Sequence, residues 1–159
     1  MAALLSPGYV LKIKYEKGEL MIWILKVELL FGAYAEEVWE GTIEIDSLST
    51  LEDLHFALQD VLNFDNDHMY EFYVSRTERS RDPIRYDDEN ELVYSVTLED
   101  LYPLEKNKKL FYLFDYGDNW LFKITKSRKK AQEPVQGIKY PRLVEEVGIK
   151  PEQYPSWEE

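Results

Sequence analysis

The run Phe114-Asp115-Tyr116-Gly117-Asp118-Asn119-Trp120 constrains what this chain can fold into more than any other segment. On either side of it lie two strand-like runs, Lys109 to Asp115 and Trp120 to Lys126. The Asp, Gly and Asn between them are the residues that tight turns select, Gly117 as the expected carrier of positive φ and Asp118 and Asn119 as residues that tolerate turn conformations. The segment therefore reads as the tip of a β-hairpin.

Alternation predicts further strands. Tyr9, Leu11, Ile13 and Tyr15 alternate with Val10, Lys12 and Lys14, and Glu16-Lys17-Gly18-Glu19 reads as the turn that follows. From Leu20 onward, Met21, Trp23, Leu25, Val27, Leu29 and Phe31 share one face. The other face is apolar at Ile22 and Ile24 and polar at Lys26 and Glu28, which predicts a strand buried on both faces at its start and more exposed later. Trp39, Gly41, Ile43 and Ile45 give the next strand, and Tyr70, Phe72 and Val74 another. Ser75 to Glu91 is mostly charged and reads as a mobile loop.

Helical signals are fewer. Ser49-Thr50-Leu51-Glu52 reads as a capping box, with the Ser49 hydroxyl taking a first-turn N–H and Glu52 reaching back. Leu51, Leu54, Leu58, Val61 and Leu62 then fall on one stripe, an amphipathic helix that must lie against a sheet. Thr97-Leu98-Glu99-Asp100-Leu101 repeats Thr50-Leu51-Glu52-Asp53-Leu54 letter for letter. Either a strand-and-helix unit is duplicated, or two helix starts converged on one good cap. Pro103 limits the second helix to about a turn. Beyond about residue 131, four prolines leave a loop-rich segment with one short helix expected near Leu143 to Val147.

With 159 residues and 45% hydrophobic content, burial of roughly 70% of the unfolded surface is in reach, so one domain spanning 1–159 is expected. The chain has no cysteine, which excludes disulfides, thiolate metal sites and thiol nucleophiles. Neither a secretory leader nor a membrane span is legible, and a cytoplasmic location is expected. A net charge of −12 repels nucleic acid over most of the surface. The charge is uneven: residues 106–130 hold eight basic and two acidic side chains, a local +6 that leaves −18 for the rest.

Four segments in order, Val38-Trp39, Thr50-Leu51-Glu52-Asp53-Leu54-His55, Asp65-Asn66-Asp67-His68-Met69-Tyr70-Glu71-Phe72 and Tyr112-Leu113-Phe114-Asp115-Tyr116-Gly117-Asp118-Asn119-Trp120, resemble the plasmid-Ri open-reading-frame-three-like family over about Ile24 to Lys126. That family is functionally uncharacterised. The resemblance implies no catalytic residue, and it carries labels on some members that tie them to mobile-element resolvases. The chain departs from the pattern at Phe64, where members often have Trp, and at Phe122, where many have His. The cysteines that some members carry near the C-terminus are absent.

His55 and His68, the two histidines, both lie near acids. An imidazole beside carboxylates can ligate a metal or act as a general base. His55 falls on the buried stripe of the helix and reads as a core histidine with one hydrogen-bond partner. His68 follows the turn-like Asp65-Asn66-Asp67 and opens a strand. Asp115 and Asp118 form a pair that suits either two-carboxylate catalysis or a turn, and Tyr116 and Trp120 offer rigid aromatic area to a partner. Lys and Arg beside Tyr112, Tyr116 and Trp120 suit phosphates and stacked bases, or protect an edge strand.

The expected fold is α+β: a twisted, largely antiparallel sheet packed on one main helix, β-grasp-like in outline with an added hairpin. The expected function is a non-enzymatic protein-interaction module using His68, Asp115, Tyr116, Asp118 and Trp120, with no cofactor and no resident metal. The alternatives are a nucleic-acid accessory role linked to mobile elements and a metal-dependent enzyme built on His68, Asp115 and Asp118.

Overall fold

In a computed structural model that describes residues 18–156, β-strands make up most of the regular structure. Seven of them form one antiparallel sheet: β1 (Ile22–Phe31), β2 (Trp39–Asp46), β3 (Tyr70–Ser75), β4 (Ile84–Tyr86), β5 (Lys109–Phe114), β6 (Trp120–Lys126) and β7 (Arg142–Gly148), in the spatial order β4-β3-β5-β6-β1-β2-β7. The main helix, α1 (Leu51–Leu62), connects β2 to β3, and α2 (Leu98–Leu101) is a single turn. The class is α+β. The strand expected at Tyr9 to Tyr15 lies outside the described residues.

Period-two patterning assigns the faces. Trp23, Leu25 and Val27 of β1 and Ile43 and Ile45 of β2 meet Phe72, Leu110, Tyr112, Phe122 and Ile124 in one buried cluster. Leu51, Leu54, Leu58 and Leu62 of α1 complete it. β1 is buried at Ile22 and Trp23 and exposed at Leu30 and Phe31, as its two-faced start predicts.

Four expectations are corrected. The cap of α1 is Thr50 rather than Ser49: its hydroxyl accepts the Asp53 N–H at 3.1 Å, and Asp53 returns a carboxylate to the Thr50 N–H at 3.0 Å. The frame moves by one because Leu51, fully buried, has to be the first helical residue. The segment 75–91 is not simply a loop, since Ile84–Tyr86 pairs with β3. The helix expected near Leu143 to Val147 is strand β7. Its pairing with β2 supplies the hydrogen bonds that an edge strand lacks, and this nonlocal gain overrides local helix propensity. Trp39 Nε1 donating to Glu146 at 2.7 Å and Arg142 bonding Glu44 at 3.0 Å fix that register. Finally, φ is positive at Asp115 and Asn119 rather than at Gly117.

The repeated pentapeptide has a structural counterpart. Thr97 caps α2 with Asp100 as Thr50 caps α1 with Asp53. The two caps also form an antiparallel bridge, in which Leu51 N–H donates to Val96 C=O at 3.0 Å and Leu98 N–H to Ser49 C=O at 2.9 Å. The first N–H of each helix, which has no partner within its own helix, is thus satisfied by the residue just before the other helix's cap.

Candidate functional site

The β5–β6 hairpin has a closed end at 115–119 and an open end at Lys109 and Lys126, about 20 Å apart at the usual strand rise of ~3.3 Å per residue. Both ends collect residues that the sequence singles out.

At the closed end, Asp115 takes the left-handed conformation, with φ 66°. Its Oδ1 accepts the Gly117 and Asp118 N–H groups at 2.9 and 3.2 Å, and its own N–H reaches Met69 C=O at 2.9 Å. Short polar side chains that bond the following backbone tolerate this conformation, so Asp115 shapes the turn. Its Oδ2 faces His68 Nε2 at 3.3 Å. The same Nε2 lies 2.9 Å from the Tyr154 hydroxyl, which donates to Asp67 at 2.7 Å. Every oxygen facing Nε2 is therefore an acceptor, and Nε2 holds a proton rather than offering a lone pair. Gln153 adds a bond to Asp67 at 2.9 Å and receives the Asp65 N–H at 2.6 Å, which ties the C-terminal segment to this corner.

The structure brings His68 and Asp115 together. Asp118 is held through its backbone, with its C=O accepting Ala33 N–H at 2.9 Å. Tyr116 is 45% exposed, whereas Trp120 is 0% exposed and offers no contact area. The Trp120 ring lies against Gly32, where a Cβ would come within 2.3 Å of it, and against Phe64 at 5.0 Å. Phe122 is also in the core. Hydrogen bonding to Asp67 pushes the Tyr154 hydroxyl up to about 12, and burial beside Glu71, Asp87 and Asp88 does the same for Tyr116. That hydrogen bond from Tyr154 holds Asp67 below the usual carboxylate range.

His55 has two partners rather than the one expected. Tyr112 Oη lies 2.6 Å from Nδ1 and Asn66 Oδ1 lies 2.6 Å from Nε2, while the ring stacks on Tyr70 at 3.5 Å. Asn66 Oδ1 can only accept, so Nε2 carries the proton and Nδ1 accepts from Tyr112, whose oxygen receives Gln59 Nε2 at 3.0 Å. Asn66 N–H closes the ring of bonds onto Gln59 Oε1 at 2.9 Å. Burial pushes His55 down to about 4, so the imidazole is neutral. Among the described residues, no group of three or more His, Asp or Glu side chains is placed to hold a metal ion.

The open end differs in kind. A cavity of about 740 Å³ opens there, with Trp23, Glu99 and Tyr102 on its walls. Trp23 is 3% and Glu99 8% exposed. Trp23 Nε1, Glu99 Oε2 and the Tyr102 hydroxyl are buried without a hydrogen-bond partner among the described residues. Gly18 N–H donates to the other Glu99 oxygen, and Trp23 and Tyr102 meet edge to face at 5.8 Å. Around them stand Lys108, Lys109, Lys123, Lys126 and Arg128, five of the eight cations of the basic segment. Lys123 pairs with Glu28 at 2.9 Å. Lys126 lies over the Trp23 ring at 4.6 Å, and burial lowers its pKa. The charge count flags this segment in the sequence. Trp23 and Glu99 are not legible as site residues, because β1 and α2 bring them there from distant positions.

Residues 21–153 match the model of the plasmid pRiA4b ORF-3-like protein family. No curated protein matches the sequence. Among solved structures, the crystal structure of MM3350, a protein of unknown function from Methanosarcina mazei Go1, superposes with a TM-score of 0.64 at 24% identity. The likeness covers 80% of this chain and 69% of that one, and it shows a common fold. No helix among the described residues is long and apolar enough to cross a membrane.

Proposed function

The chain belongs to the plasmid pRiA4b ORF-3-like family, and from its own geometry we propose that it is a single-domain, cytoplasmic, non-enzymatic protein-interaction module. The contact surface is the closed end of the β5–β6 hairpin. One observation carries this reading: the imidazole and carboxylates there are engaged in bonds that fix the backbone, while Tyr116, Met69 and Tyr154 remain exposed around them. A rigid rim of exposed aromatics loses little conformational entropy on docking. Asp67 and Asp118 make that rim acidic, so the fitting partner is a protein segment rich in Lys or Arg. Within the fold, the order hairpin, helix, strand in β1–β2–α1–β3 supports a β-grasp-like outline enlarged by the remaining strands.

The test is a photocrosslinkable residue in place of Tyr116 in cells that make the protein, followed by reconstitution of the captured partner with purified components. The reading expects a discrete partner whose binding weakens at least about tenfold in a Tyr116→Ala/Tyr154→Ala variant that keeps its stability. Substrate turnover by the purified chain that disappears in His68→Ala would instead establish an enzyme.

A nucleic-acid accessory role is a second reading, favoured by the basic open end. Its cations surround a hollow rather than track along a groove, which suits a small ligand better than a strand.

A further inference from the structure

We propose that the cavity at the open end of the β5–β6 hairpin binds a small phosphorylated heterocycle, of which a nucleoside monophosphate is the simplest representative. Buried polar groups without partners are rare in folded proteins, and each is costly unless something satisfies it. Three of them, Trp23 Nε1, Glu99 Oε2 and the Tyr102 hydroxyl, belong to residues that line a single cavity, whereas Trp120 Nε1 is enclosed in the core away from it. At about 740 Å³ the hollow lies within the roughly 300–1,000 Å³ range of small-molecule sites.

The chemistry of the lining selects the ligand. Trp23 Nε1 donates only and asks for an acceptor. Glu99 Oε2 accepts and asks for an N–H or O–H, and the Tyr102 hydroxyl serves either. A ring carrying both a donor and an acceptor edge answers all three, and Trp23 and Tyr102 add aromatic surface beside it. The cations define the other end of the molecule. Lys108, Lys109, Lys126 and Arg128 form no ion pair with a carboxylate among the described residues, in a chain whose net charge is −12. Four cations around one mouth match a phosphate, which combines two negative charges with three acceptor oxygens. A ring without the anion leaves the rim unanswered, and an anion without the ring leaves the wall groups unpaired. This site is independent of the partner surface at the closed end and stands or falls separately from it.

The experiment is calorimetric titration of the full chain with AMP, GMP, CMP and UMP, each against its nucleoside and against inorganic phosphate, at physiological salt. At least one monophosphate should bind saturably, about tenfold or more tighter than its nucleoside or phosphate alone. In Lys108→Glu/Lys109→Glu, both at the rim, binding should fall at least about tenfold with unchanged thermal unfolding. Glu99→Gln should alter the ranking of the four bases, because an acceptor-only carboxylate becomes an amide that also donates. Three results would overturn the proposal: no monophosphate binding tighter than about 1 mM, binding indifferent to the rim variant, or a single-stranded oligonucleotide binding more tightly than every mononucleotide.

Discussion

The two ends of the β5–β6 hairpin are built from the same two strands and meet opposite fates. At the closed end the polar groups of Asp67, His68, Asp115 and Tyr154 answer one another, and Trp120 is sealed against Gly32. At the open end Trp23, Glu99 and Tyr102 keep buried polar atoms that no described residue answers. A group of acids and a histidine attracts attention in a sequence because such groups do chemistry. In the folded chain those groups are occupied in holding a turn, while the unanswered atoms belong to residues that look like ordinary core. Trp120 Nε1, at the closed end, is likewise buried without a partner among the described residues, so what distinguishes the open end is the gathering of three such groups around one cavity.

The largest effect is expected at Trp120. If the closed end is scaffold, Trp120→Ala leaves a core cavity and costs about 4 kcal/mol in urea unfolding. A loss below ~1 kcal/mol would remove Trp120 from the scaffold.

The next effect is a pH dependence from the buried network beside that end. His55 is held near 4 by burial, against 6.5 ordinarily. The unfolded chain therefore binds the proton first, and stability is lost as pH falls from about 6.5 towards 4. The loss amounts to about 3 kcal/mol at ~1.4 kcal/mol per pH unit. It should appear in urea unfolding across that window, and His55→Gln should remove that part of the slope.

A pair of matched substitutions sharpens the contrast. Tyr112→Phe strips a hydroxyl that serves His55 and Gln59, leaves two buried groups unpaired, and should cost about 2 kcal/mol. Tyr102→Phe strips a hydroxyl with no described partner and should be neutral or stabilising by up to about 1 kcal/mol in the ligand-free protein. Equal losses in the two variants would erase the distinction between the regions.

Much of this fold is legible in the sequence. Alternation marks β1, β2 and β3, strand-like runs on either side of a turn mark β5 and β6, and helical spacing of leucines marks α1. β7 is not legible, since Leu143, Val144 and Val147 are broken by Glu145 and Glu146 and the strand owes its existence to the bare edge of β2. β4 is too short to show a period. The hairpin tip is legible as a turn, but not that Asp115 and Asn119 carry the positive φ in place of the glycine. Nor does the sequence show Trp120 turning inward, which depends on the missing side chain of Gly32. For the open end, charge is legible in one segment. The cavity is not, because it exists only where that segment meets Trp23 and Glu99.

The bridge between the two repeated pentapeptides gives Glu99 a reach beyond the cavity. Its N–H is held by Ser47 C=O at 3.0 Å, Ser47 Oγ receives Met21 N–H at 3.1 Å, and the adjoining Leu98 is locked to Ser49. Because the residue before each cap closes the first turn of the other helix, the two helix starts are coupled. The amides of Leu51 and Leu98 should then open together and show one common opening free energy in hydrogen exchange. A molecule resting on Glu99 would slow both clocks at once, so occupancy of the cavity becomes audible at the start of the main helix.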